Sequence, residues 1–243
     1  MQIFIKKILF FIGGITTLSI VFFTLWLNYY STPPLNLSNS ISLNAKVLFL
    51  KNNFSRANID ILAIGSSMSL NNINSSSITK AYSDEQYLNL SSWGLTMEET
   101  FNLLKIYNKK YHPKTIIISS NYSDFKGSSQ KIKYNLINEF LTSNNSITYN
   151  LKFWNFRKAI LESRLLDMYK NDNTTYQSLK FDKNGGVNYP RANFHIDANR
   201  WNGDLNSNKI DIIQYSYLDS ISNFCTSNSL NFVFVQSPFR EGY

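Results

Sequence analysis

Cysteine is almost absent from this chain, and histidine nearly so. Cys225 is the single cysteine, which excludes an intramolecular disulfide and any multi-cysteine zinc site. It stands at helical spacing with Ile210, Ile213, Tyr217, Leu218, Ile221 and Phe224, the setting of a buried structural thiol rather than a nucleophile. His112 and His195 are the only histidines, so imidazole chemistry has two candidate positions at most. Acidic residues are also short, 16 against 24 Lys+Arg, giving a net charge of +8. The basic residues are scattered, at Lys6, Lys7, Lys109, Lys110, Lys131, Lys133, Lys152, Arg157 and Lys158. No basic stripe with interleaved aromatics forms, so nucleic acid is not expected as a partner. A solvated basic surface is the simpler reading, and an anionic polymer or lipid surface is the functional one. No internal repeat, metal-ligand set or cofactor-binding pattern stands out, and neither metal nor cofactor is expected.

What is present argues for a folded domain on an anchor. Of 243 residues, 43% are hydrophobic and 37 are aromatic (18 Phe, 15 Tyr, 4 Trp), which argues against disorder. Residues 8–27 carry no charge. As a helix this run is about 30 Å long, enough to cross a bilayer core. Gly13 and Gly14 are tolerated there because lipid offers the backbone no other partner. Trp26, Tyr29 and Tyr30 sit at the far end, where aromatic rings favour the interface. Lys6 and Lys7 before the run predict a cytoplasmic N-terminus and an exported remainder. The run is long for a signal-peptide core and no small-x-small site follows, so an uncleaved anchor over residues 1–30 is expected. Ser31-Thr32-Pro33-Pro34 and the Asn/Ser-rich sequence after it then read as a stalk to residue 56, with a short helix around 43–50.

From residue 57 a strand–helix rhythm begins. Residues 59–64 form a short apolar run closed by Gly65, the pattern of a buried parallel strand. Residues 86–90, Thr115-Ile116-Ile117-Ile118 and Asn231–Gln236 read as further strands. Helical sequence begins near Leu70. Thr96 and Glu99 form a capping box for a second helix, which Pro113 ends. Residues 208–228 predict an amphipathic helix. Such alternation implies a mostly parallel sheet covered by helices on both faces. Residues 125–205 break the rhythm and read as an insertion over the strand ends, with a helix over 154–169 and a Gly185-Gly186 turn.

Chemistry is carried by the segments after the first three strands. Gly65-Ser66-Ser67-Met68-Ser69 puts a serine at the carboxyl end of a strand, just before a helix. Open α/β sheets bind ligands in that crevice, and helix-terminal N–H groups there can stabilise an oxyanion. The bland alternative is a strand-to-helix turn that uses Gly and Ser structurally. Asn89-Leu90-Ser91-Ser92-Trp93-Gly94-Leu95-Thr96 follows the second strand, and Gly94 lets backbone approach a ligand or merely shapes a turn. Ser119-Ser120-Asn121-Tyr122 follows the third, where Asn121 could equally bond its own backbone.

These segments, over residues 57–125, resemble the first three conserved blocks of the SGNH (GDSL-like) hydrolases. Gly65-Ser66-Ser67 is similar to Gly-Asp-Ser, with Ser66 in place of Asp, a form frequent in membrane-bound members acting on cell-surface polymers. Asn89, Gly94 and Thr96 match Asn-x-Gly-x-x-Gly-x-Thr, with Ser91 in place of the first Gly. Asn121 is what remains of Gly-x-Asn-Asp. The resemblance implies a flavodoxin-like three-layer parallel sheet, Ser67 as nucleophile, and Gly94 and Asn121 as oxyanion donors. It further implies an acyl ester hydrolase or O-acyltransferase acting on a cell-surface glycan, with an acyl-carrying membrane partner as one route of supply. The family's base is a His in an Asp-x-x-His block beyond the last strand. Only Ser237 to Tyr243 follow the fourth strand here, and none is a histidine. The expectation is therefore a C-terminally incomplete SGNH-like unit of impaired activity. His195, in the insertion, is the single substitute base, because His112 precedes the third strand at its amino end. A truncated or non-catalytic binding domain is the rival expectation.

Overall fold

The computed structural model describes residues 2–29, 37–54, 58–127, 130–142, 181–187 and 211–236. The chain divides into two compact units, one containing the N-terminal helix and the other the α/β sheet.

In the first unit, helix α1 spans Gln2–Tyr29. Its apolar side chains are exposed around the whole circumference, Phe10 at 86% and Phe22 at 71%, a pattern that water does not tolerate but lipid does. Thr16 and Thr17 donate their hydroxyls to the carbonyls of Ile12 and Gly13, both at 2.8 Å, so neither demands solvent. Among the described residues this is the one helix long and apolar enough to cross a membrane, over Gln2–Phe22.

The second unit holds four parallel strands in the order β2-β1-β3-β4. They are β1 Ile61–Ala63, β2 Tyr87–Asn89, β3 Thr115–Ser120 and β4 Asn231–Gln236. Strand β1 pairs with β2 on one side and β3 on the other, so it is buried on both faces and reads as unbroken hydrophobic sequence. Between β1 and β2 run α3 (Ser67–Asn72) and α4 (Ser75–Ala81). Helix α3 starts three residues before the expected Leu70 because Ser66 caps it, and Asn74 caps α4. Helix α5, Met97–Tyr111, has the expected Thr96–Glu99 capping box. It ends where His112 turns into the left-handed region at φ 49° ahead of Pro113. Helices α6 (Tyr134–Thr142) and α7 (Ile212–Ser227) both pack on α5.

One stretch differs from the sequence reading. Residues 37–54, expected as stalk, belong to the α/β unit: α2 spans Ile41–Asn53 and packs against α6. Leu43, Val47 and Leu50 are fully buried, and burial of such side chains stabilises by about 1.5–3 kcal/mol each. The i, i+4, i+7 stripe was masked by its Asn/Ser-rich flanks. The described parts of the insertion are likewise built into the unit. Asn184 O accepts from Asn89 N at 2.8 Å and Asn184 Nδ2 donates to Tyr87 O at 2.8 Å, so the expected Gly185-Gly186 turn covers the outer edge of β2. The helix expected over residues 154–169 lies outside the described residues. At the opposite edge β4 pairs only with β3 among the described residues, and Val233, Phe234 and Val235 are exposed.

Candidate active site at the carboxyl ends of three strands

The turn after β1 is set by Gly65. Its φ is +138°, and a Cβ there would sit 2.6 Å from Ser69 Oγ, so only glycine fits. Ser69 is fully buried and clips α3 to β3: its hydroxyl donates to Ser119 O at 2.8 Å and accepts from Ser119 N at 2.7 Å. Ser66 caps α3 by accepting from Met68 N at 3.1 Å. Ser67 is then the first helical residue, half-buried. Among the described residues its hydroxyl makes no hydrogen bond. Helix α3 has six residues, too short for its dipole to matter much, so an oxyanion would depend on discrete donors.

The β2 end is bonded directly to this turn. Ser92 N donates to Gly65 O at 3.0 Å. Asn89 is fully buried; its Nδ2 donates to Ser69 O at 3.1 Å and its Oδ1 accepts from Ser91 N at 3.0 Å. Gly94 lies beyond, exposed, with φ +65°. Its backbone N–H is not engaged by any described residue, and Gln130 Nε2 holds the neighbouring Trp93 O at 2.8 Å.

At the β3 end Asn121 caps a single 3₁₀ turn, Tyr122–Phe125. Its Oδ1 accepts from Ser123 N at 2.9 Å and also from Ser123 Oγ, which fixes the orientation of the carboxamide. Its Nδ2 therefore points the other way and donates to Met68 Sδ at 3.1 Å, beside Ser67.

The segments of Ser67, Gly94 and Asn121 thus meet at the carboxyl ends of three neighbouring parallel strands. His112 is not with them: it is exposed at the amino end of β3, as the C-cap of α5. His195 lies outside the described residues. Cys225 is fully exposed to none of this chemistry, being buried in α7 with its thiol pushed up to about 11 by burial. Among the described residues no cluster of three or more His, Cys, Asp or Glu could hold a metal ion.

Sequence reasoning missed three residues here. Asp124 is the hub of the site: its Oδ2 accepts from Ser66 Oγ at 2.7 Å, Ser120 Oγ at 2.8 Å and Asn121 N at 3.4 Å. Burial raises its pKa above the usual carboxylate range, against the pull of those three donors. The spacing Asn121-x-x-Asp124 is a capping-box pattern that could have found it. Met68 supplies the sulfur that receives Asn121. Lys46, fully buried in α2, donates its ammonium to Asn89 O at 3.0 Å and to Gly185 O, and lies 3.9 Å from the centre of the Phe181 ring. Desolvation lowers its pKa well below that of a free lysine, with nearby Asp182 opposing the shift.

Comparison with protein-family models, with curated proteins and with solved structures returned no match.

Proposed function

We propose that the α/β unit is an SGNH-like acyl-transfer domain, held at the cell membrane by α1 with its N-terminus cytoplasmic and the α/β unit outside. What carries the reading is the convergence of the Ser67, Gly94 and Asn121 segments, joined by the bonds from Ser92 to Gly65 and from Asn121 to Met68. The strand order supports it too. In this reading the order β2-β1-β3-β4 is the leading part of a flavodoxin-like doubly wound sheet, a kind of sheet in which ligands bind where the order reverses, here between β1 and β3.

In this reading Ser67 Oγ attacks the carbonyl carbon of an O-acyl ester. The Oγ–C bond forms, the ester C–O bond breaks, and the serine proton passes through a base to the departing alcohol. His195 is the base that the sequence offers. Gly94 N–H and Asn121 Nδ2 receive the oxyanion, each such donor being worth about 2.7–4 kcal/mol in the transition state. Water or a sugar hydroxyl then takes the acyl group and restores Ser67. The substrate class is an acylated cell-surface glycan, or a membrane partner that delivers the acyl group.

One observation favours a second reading, a membrane-anchored glycan-binding domain without turnover. Among the described residues no proton acceptor bonds Ser67 Oγ, and an unassisted serine is a poor nucleophile at neutral pH. Labelling with an alkyl fluorophosphonate, mapped by mass spectrometry on the full chain in detergent, separates the two. Acyl transfer expects a single adduct on Ser67, slowed at least tenfold by Asn121→Ala. Adducts scattered over other serines, or none, would refute it.

A further inference from the structure

Met68 touches both halves of the site, and its position next to Ser67 would accept any apolar residue of similar size if packing were its only task. Its Sδ receives Asn121 Nδ2 at 3.1 Å, with Asn72 Nδ2 3.8 Å away. The side chain is half-buried, so the sulfur is not sealed in the core. Asn121 cannot turn its amide around, because Ser123 N–H must face its carbonyl oxygen at 2.9 Å. A carboxamide nitrogen carries two N–H groups, and the sulfur takes one of them.

We propose that Met68 is a positioning residue whose thioether aims the Asn121 amide at a ligand oxygen bound beside Ser67. The inference rests on the reading of Ser67 and Asn121 given above. Sulfur suits this task because a thioether is a weak acceptor. It orients the N–H₂ group yet competes little with an oxyanion for the same donors. Leucine would fill the same volume and leave the amide held from its oxygen side alone, by Ser123. A sulfoxide would grip the amide and withhold it from the ligand.

The test uses the full chain in detergent, with the methionine methyl groups labelled with carbon-13 and assigned with the help of Met68→Leu. Asn121→Ala is expected to shift the Met68 methyl resonance and leave that of Met97 in place. Fluorophosphonate labelling of Ser67 is expected to slow about three- to tenfold in Met68→Leu. The same substitution should add nothing when Asn121 is already alanine, as coupled residues behave. Hydrogen peroxide provides a second perturbation on the folded protein: it transfers one oxygen to Sδ and leaves as water. Oxidation should slow labelling of the wild type and not of Met68→Leu. A Met68 methyl indifferent to Asn121→Ala would overturn the inference. So would equal labelling rates for wild type and Met68→Leu, in which case the reading of Ser67 stands. A coupled methyl with no label at Ser67 in the wild type would instead overturn the reading of Ser67 and support the Met68–Asn121 pairing.

Discussion

Replacing Asp124 should separate the architecture of the site from its chemistry. One carboxylate oxygen ties Ser66, which precedes Ser67, to Ser120 and to the backbone of Asn121. Ser66 and Ser120 are 3% and 1% exposed, so water cannot take over if the acceptor is removed. Asp124→Ala takes the carboxylate acceptor from two buried hydroxyls, at about 1–3 kcal/mol each, and leaves Ser120 only its longer bond to Asn121 O at 3.3 Å. Some of that is regained because a buried carboxylate no longer needs to be desolvated. A net loss of about 3 kcal/mol is expected. Asp124→Asn keeps an acceptor oxygen for both serines and should lose about 1 kcal/mol or less near neutral pH. The pH dependence has a definite sign. Burial raises the folded pKa of Asp124 above its unfolded value of about 3.9. The stability it contributes is therefore complete below about pH 3.9 and is lost as pH rises through the folded pKa. Wild type minus Asp124→Asn should then be more favourable at about pH 4 than at about pH 8. Urea denaturation of the full chain in detergent, followed by tryptophan fluorescence, measures all three proteins. An alanine variant as stable as the asparagine one, or a difference that is flat or rises with pH, would refute the hub role.

Other outcomes follow from named contacts. Gly65→Ala should lower stability by about 1–3 kcal/mol, because the new Cβ would sit 2.6 Å from Ser69 Oγ at a φ of +138°; thermal melting reads this, and an unchanged midpoint would count against the packing of the turn. The chain should hydrolyse p-nitrophenyl acetate weakly or not at all, since among the described residues no base bonds Ser67 Oγ and missing acid–base help forfeits about 10²–10⁴-fold; robust turnover abolished by both Ser67→Ala and His195→Ala would show His195 to be an efficient base. Protease added to intact cells should digest the α/β unit, given the lysines ahead of α1, and a protected unit beside a normal cytosolic control would reverse the orientation.

The sequence alone determined the strands and their order of appearance. The reason is local: β1 is an unbroken apolar run, β3 is built on Ile116, Ile117 and Ile118, and the Thr96–Glu99 box fixes where α5 begins without help from elsewhere. It likewise marked α1, because 20 uncharged residues at 8–27 have no polar face to hide. It marked a helix around 43–50 but could not assign α2 to the α/β unit. Helix propensity there is unremarkable, and only contact with α6 and the burial of Leu43, Val47 and Leu50 make it part of the α/β unit. The Asn121-x-x-Asp124 spacing carries a local hint of Asp124, but not of its bond to Ser66, which lies 58 residues away. Their pairing exists because β1 and β3 lie side by side. The same adjacency gives Asn121 its sulfur at Met68 and turns Ser69 into the clip on Ser119. Lys46 is the extreme case. A lysine in an apolar stretch reads as a snorkelling surface residue, and only the tertiary fold, by bringing the carbonyls of Asn89 and Gly185 to its ammonium, makes its burial tolerable.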